Sequence, residues 1–259
     1  MMTDGSGLRE EIMRIALLQS ATDSACAPSD FLAREHVVVA SHDDPGARAY
    51  LSLPFAFDLT SYGNNVVASV REDLIPVARA YLAGKRTETC FETPALHELD
   101  AMLAPYGLRT LYQAEYFLPD PDRMHGIGCA YPLRVLDKGM FAALYLPQWS
   151  NALCAQRPER DVLCVAAYDG DRMVGLAGCS ADCSQMWQIG IDVLPDYRRK
   201  GIASALVSRL ARETLALGKI PFYCAAWSNL PSKKTALRCG FMPAWVQLTA
   251  KAVEKQKKV

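Results

Sequence analysis

The chain has 259 residues, enough for one large hydrophobic core or two modest ones. Its 51% hydrophobic and 22% charged residues are ordinary proportions for a globular protein. The 28 basic and 28 acidic side chains cancel, which argues against broad electrostatic binding of nucleic acid and leaves any anion site to be built locally. No apolar run approaches the roughly 18 residues of a membrane span. The polar opening Met1–Gly7 does not read as a signal peptide, so no membrane partner is expected.

Nine scattered cysteines, odd in number and without a Cys-x-x-Cys pair, point to free thiols in a reducing, cytoplasmic setting rather than a disulfide framework. Cys179 and Cys183 lie four apart with no histidine beside them, which is poor zinc geometry. His42 beside Asp43 and Asp44 reads as a solvated turn, and no metal is expected.

In chain order, Leu8 to Gln19 has the apolar spacing of an amphipathic helix, and the small, polar stretch Ala21 to Pro28 reads as a linker. His36 to Ala40 carries a β-branched run expected to be a strand, followed by a turn cluster over Ser41–Gly46. From Asn64 onward the order is strand (Val66–Val70), helix (Asp73–Ala83), strand (Thr89–Glu92), helix (Ala95–Leu103) and strand (Thr110–Leu118). Pro119-Asp120-Pro121-Asp122 is the clearest break, since two prolines stop regular structure. A strand (Leu133–Leu136) and a helix (Gly139–Leu146) follow. Asp161–Tyr168 and Arg172–Ser180 then flank Asp169-Gly170, a hairpin signal.

The stretch from Trp187 to Phe241 concentrates the chemistry. It reads as a strand ending at Val193, a basic loop (Pro195–Gly201), a helix from Ile202 to Leu217 stopped by Gly218, a strand over Pro221–Ala226, and a helix closing on Gly240-Phe241. A strand feeding a glycine-containing turn into a helix start presents unpaired backbone N–H groups and the positive end of the helix dipole, which together suit an anion, phosphate above all. Gly201 permits close approach and a positive φ. Ala203 and Ser204 keep the next turn small, and Arg198, Arg199 and Lys200 add charge. Taken by itself, the loop is also compatible with a solvated basic turn.

Arg198-x-x-Gly201-x-Ala203 after an apolar strand, then Asn229 heading a helix that ends in Gly240-Phe241, resembles the GNAT superfamily of N-acetyltransferases. The resemblance implies a mixed α/β fold with acetyl-CoA as cosubstrate. It places the pyrophosphate on the loop and the pantetheine arm beside Val193. Arg198, Arg199, Lys200, Gly201, Ile202, Ala203, Ser204, Asn229 and Ser232 complete the cofactor-binding set it implies. The same strand–helix–strand–helix–strand order in the N-terminal half suggests a degenerate repeat without the phosphate loop. On that basis residues 1–122 form a degenerate GNAT-like domain and residues 123–259 the acetyl-CoA-binding catalytic domain.

Direct acetyl transfer needs a base for the acceptor amine, a donor to the oxyanion and help for the leaving thiolate. Asp192 is the candidate base, against a purely structural carboxylate that orients nearby backbone. The resemblance offers the Val193 N–H to the oxyanion. Many family members carry a Tyr seven residues after the Asn; here that position is Ala236. Tyr223, Cys224, Ser228 or a water are the stand-ins for its proton. Asn229 also suits an N-cap for its helix. Trp187, Trp227 and Trp245 fit either an aromatic acceptor pocket or core packing. The basic tail Lys251–Val259 reads as a solvated end.

The leading expectation is an acyltransferase that moves an acetyl group to a primary amine of a small molecule. The alternatives are a coenzyme A-binding sensor or adaptor without turnover, and an enzyme holding another phosphorylated ligand. The oligomeric state stays open, a homodimer included.

Overall fold

The computed structural model describes residues 5–253, so the last six residues of the basic tail lie outside the described residues. Helix α1 (Gly5–Ser24) precedes strands β1 (Val37–Ala40), β2 (Phe57–Ser61) and β3 (Val67–Val70). Helices α2 (Ile75–Leu82) and α3 (Thr93–Leu103) lead to β4 (Leu108–Pro119) and β5 (Leu133–Leu136). The hairpin β6 (Asp161–Asp169) and β7 (Arg172–Ser180) is followed by β8 (Met186–Val193), α4 (Ile202–Ala216) and β9 (Ile220–Ala226). Helix α5 (Leu230–Arg238) and β10 (Phe241–Ala252) complete the mixed α/β chain.

Two compact units share these elements, residues 5–16 with 116–243 and residues 17–115 with 244–253. In the first unit the strand order is β4-β9-β8-β7-β6-β5. β5, β6, β7 and β8 are antiparallel neighbours, whereas β8 and β9 run parallel. One face of this sheet meets α4 and α5 through Ile189, Ile202, Leu206, Leu210, Tyr223, Ala236 and Phe241, all buried. The other face carries Cys164, Ala166 and Leu176 against Phe141, Trp149, Ala152 and Leu153. Gly175 permits the helical layer to close in, because a Cβ there would come within 2.9 Å of Ile202 Cγ2 and Leu206 Cδ1.

The second unit orders its strands β1-β3-β2-β10-β4, with β1 parallel to β3 and β2 antiparallel to both its neighbours. Its core gathers Phe57, Leu59, Val70, Leu74, Tyr81, Leu99 and Leu248.

Several expectations need correction. Thr89–Glu92 is not a strand: Glu88–Phe91 is a 3-10 turn whose Cys90 N–H bonds back to the Thr87 carbonyl, while Tyr81 Oη donates to the Cys90 carbonyl at 2.7 Å. The parallel between the two halves breaks at that point. The helix expected over Gly139–Leu146 is a 3-10 run over Lys138–Leu144, cut short before Pro147. Ala21–Ser24 is the last turn of α1 rather than linker, and buried Asp23 there pairs with Arg48. Strand β2 has no counterpart among the expected elements, although Phe55, Phe57 and Leu59 alternate with Ala56, Asp58 and Thr60.

Asp58 of β2 is fully buried, and its carboxylate accepts from Gln247 Nε2 (2.9 Å), Thr249 Oγ1 (2.7 Å) and Thr60 Oγ1 (3.1 Å). Burial outweighs these bonds and pushes the carboxyl up to about 6. Between roughly pH 4 and pH 6 the folded unit therefore keeps a proton that the unfolded chain has lost. This group's contribution is complete below about pH 4 and is lost as the pH rises through 6. Asp58→Asn should raise the thermal midpoint above pH 7, by an amount corresponding to roughly 1–3 kcal/mol, and flatten stability between pH 4 and 6. A lower midpoint at pH 8 would show that the anion is needed there.

Candidate active site

β8 and β9 pair in register only from Met186↔Ile220 to Ile189↔Tyr223. β8 continues to Val193 and β9 to Ala226, so the strands part beyond Ile189 and Tyr223 and leave a wedge. On its other edge β8 stays paired with β7 past that point, from Ser180↔Gln188 to Gly175↔Val193. The Leu194 N–H bonds the Val174 carbonyl of β7 at 3.0 Å. Since backbone groups alternate edges along a strand, the Val193 and Ile191 N–H groups point into the wedge.

At the mouth of the wedge, Pro195–Tyr197 forms a 3-10 turn and the chain enters α4 through Gly201. Arg199 has φ +63° and Gly201 has φ +81°. Left-handed residues in such a turn are how successive N–H groups come to converge on an anion. No side chain caps α4, and its first turn, Ile202-Ala203-Ser204-Ala205, carries no acid. The Ala205 N–H closes the first backbone bond of the helix, to the Gly201 carbonyl at 3.1 Å. The amides before it are the orphan donors of a helix start. A Cβ on Gly201 would meet nothing within 4 Å, so the approach to these donors is open. Ile202 and Ser204 turn their side chains inward, which leaves their backbones as the groups available to an anion.

The basic side chains are separately placed. Arg198 Nε donates to the Val193 carbonyl at 3.2 Å, at the wedge edge. Lys200 Nζ sits 4.7 Å from the Tyr197 ring centre, and the Tyr197 hydroxyl donates to Asp169 Oδ2 at 2.8 Å. The Tyr197–Asp169 bond ties the loop to the β6–β7 hairpin. Arg199 is exposed.

Asn229 and Ser232 lie at the start of α5. Asn229 Oδ1 accepts from the Ser232 N–H at 3.2 Å, the N-cap geometry. Ser232 Oγ lies 2.8 Å from the Tyr223 hydroxyl. Tyr223 is 2% exposed, and burial pushes its phenol up to about 12. Ala236 is buried in the same cluster. Two residues past the end of α5, Gly240 has φ +86°. A Cβ there would lie 2.6 Å from the Arg123 carbonyl oxygen, so the position admits only glycine.

On the opposite sheet face, Asp192 is engaged. Its Oδ2 accepts from the Asn151 N–H (2.8 Å) and the Ala152 N–H (3.0 Å), and its Oδ1 from Asn151 Nδ2 (2.7 Å). Two more carboxylates hold the same irregular segment. Asp161 Oδ2 accepts from the Tyr145 hydroxyl (3.1 Å) and the Cys154 N–H (2.9 Å), and Asp182 Oδ1 from Arg157 Nη1 (2.6 Å). Gly178 and Gly190, facing each other across β7 and β8, let this segment lie on the sheet. A Cβ on Gly178 would overlap the Ala152 carbonyl, and one on Gly190 the Asn151 carbonyl. Gln188 Nε2 reaches across to Cys224 Sγ at 3.1 Å.

Sequence reasoning did not find Asn151 or the Ile191 N–H. The paired strand glycines were the available signal for a backbone passing close to the sheet. The three tryptophans have separate surroundings: Trp187 borders the α4 cluster, Trp227 is 57% exposed, and Trp245 is buried beside Tyr62 and Arg48. No disulfide joins any of the nine cysteines, all of which lie among the described residues. Among the described residues no helix is long and apolar enough to cross a membrane, and no group of three or more His, Cys, Asp or Glu is placed to hold a metal ion.

These features define a mixed α/β protein whose sheet opens into a wedge ending at a helix N-terminus. The chain belongs to the Acetyltransferase (GNAT) family, whose sequence pattern matches residues 112–241, half of the chain. It is an acyltransferase by family. No curated protein matches it. Among solved structures, it is similar to a GCN5-related N-acetyltransferase-like protein from Streptococcus suis, at 19% identity over 61% of this chain and 69% of that one, with a TM-score of 0.45. A GCN5-related N-acetyltransferase from Kribbella flavida is 11% identical over 61% of this chain and 64% of that one, with a TM-score of 0.48. A GNAT-family acetyltransferase from Colwellia psychrerythraea is 13% identical over 60% and 62%, with a TM-score of 0.44. The chain spans less than two thirds of the latter two structures.

Gly190→Ala should lower the thermal midpoint by several degrees, the equivalent of about 2 kcal/mol or more, because the Asn151 carbonyl occupies the methyl position. An unchanged melting curve would show that the Asn151 segment does not rest on the sheet.

Proposed function

We propose that this chain transfers an acetyl group from acetyl-CoA to a primary amine of a small molecule by direct attack. The observation that carries the reading is a pair of unsatisfied donor sets, the uncapped start of α4 and the open edge of β8, joined by the Pro195–Tyr197 turn. The amides of Gly201, Ile202, Ala203 and Ser204 suit the pyrophosphate, with Arg198, Arg199 and Lys200 supplying charge. From there the edge from Val193 back to Ile189 offers roughly 13 Å of backbone to an extended arm. Val193 and Ile191 supply its N–H donors, one of which serves the thioester carbonyl oxygen. Asn229 uses its Oδ1 as a cap and keeps its side-chain N–H groups for the same arm.

Acetyl-CoA brings the activated acyl group and the thiol leaving group. The protein contributes alignment and polarisation. An acceptor amine must arrive unprotonated, since an ammonium has no lone pair. Asp192 is the base of this reading, accepting on the Oδ1 lone pair that its three hydrogen bonds leave unused. The hydrogen bonds of Asp192 favour its fastening Asn151 and Ala152 on the acceptor-side face. Tyr223, deep in the core, stays protonated at any working pH.

A coenzyme A-binding sensor without turnover is the second reading, favoured by buried Ala236 standing where many family members have tyrosine. Thiol release from acetyl-CoA across a panel of amines separates the two: turnover on any amine removes the sensor. Gly201→Asp should weaken coenzyme A binding roughly tenfold or more in calorimetry, since it puts a carboxylate against the orphan amides. Equal affinity would move the diphosphate elsewhere.

A further inference from the structure

We infer that the Ser232 hydroxyl, held in a donating orientation by Tyr223, is the hydrogen-bond donor to the coenzyme A sulfur; this rests on the acetyl-CoA reading above. The wedge sets the place. An arm that starts at the α4 loop and follows the open edge of β8 ends where the strands rejoin, at Ile189 and Tyr223.

Hydrogen-bond accounting sets the direction. The Tyr223 hydroxyl is buried, and its one bond among the described residues is to Ser232 Oγ. Were Ser232 the donor, the phenolic hydrogen would be left in the core without an acceptor, a desolvated donor with nothing to offset it. Tyr223 therefore donates and Ser232 accepts. Burial holds the phenol up at about 12, so the bond keeps this sense across the working range.

Ser232 accepts on one lone pair, and its own hydrogen has no acceptor among the described residues. It is half-buried rather than sealed, at the third residue of α5. There the positive end of the helix dipole favours a developing anion. One turn further on, Ala236 is buried and offers no hydroxyl.

In the transfer, the amine nitrogen forms its bond to the acyl carbon and the C–S bond breaks, its electron pair passing to sulfur. The amine's surplus proton leaves to base or solvent. Ser232 keeps its proton and stabilises the thiolate by donation. Tyr223 acts through Ser232 and is a positioning residue.

The test needs no acceptor. The thiol of coenzyme A bound to the full chain is titrated by its ultraviolet thiolate absorbance, as a difference from the protein alone. Ser232→Ala should raise the pKa of the bound thiol by about one unit, a tenfold change in thiolate. Ser232→Thr keeps the hydroxyl and should restore the wild-type value. Tyr223→Phe should shift it in the same direction by less, and Tyr223→Phe with Ser232→Ala should match Ser232→Ala alone. Bound coenzyme A with the same thiol pKa in wild type and Ser232→Ala would overturn the inference, as would additive effects of the two substitutions. If wild type binds no coenzyme A, the acetyl-CoA reading fails and takes this inference with it.

Discussion

Two parallel strands that stop sharing hydrogen bonds create a debt that the rest of this unit is arranged around. Backbone N–H groups are obligatory donors, and a strand edge facing a gap rather than a neighbour must find partners there. β7 satisfies one edge of β8 from Gln188 to Val193, while β9 satisfies the other only as far as Ile189. The open edge, the left-handed Arg199 and Gly201 and the uncapped start of α4 are consecutive in the chain. One elongated, anion-headed ligand can therefore engage all of them.

The two faces of the sheet are held by different physics. Toward α4 and α5 the hold is apolar packing, tightened where Gly175 and Gly240 lack a side chain. On the other face the covering chain has only short 3-10 turns, so its backbone groups cannot pair in a ladder. Asp192, Asp161 and Asp182 accept from it instead, in bonds strengthened by charge. This explains why Asp192, a natural candidate for proton transfer by position, also has a structural task. That side of the wedge is thereby shaped by a segment whose placement depends on carboxylates borne elsewhere.

Legibility in the sequence followed the range of the interaction. Gly218 and Gly240, the Asp169-Gly170 turn and the Arg198-x-x-Gly201-x-Ala203 loop were readable because each records a local backbone need: a positive φ, a tight turn or an exposed amide. The alternation Ile189, Ile191, Val193 identified the face that meets α4. The bonds between Asn151 and Asp192 link positions forty-one apart and have no local signature. Thr89–Glu92 has strand-like residues, yet the bond from Tyr81 to the Cys90 carbonyl draws it into a turn. In β2 the alternation of Phe57 and Leu59 with Asp58 and Thr60 is present but short, and its polar positions face the interior rather than solvent. Ser232 was visible as part of a helix start, but its bond to Tyr223 depends on the fold.

Hydrogen exchange of the backbone amides with and without coenzyme A tests the central claim most directly. Slowed exchange at Ile191, Val193 and Lys200–Ser204, the wedge edge and the helix start, is the predicted result. Saturating coenzyme A with protection confined to other segments would contradict it.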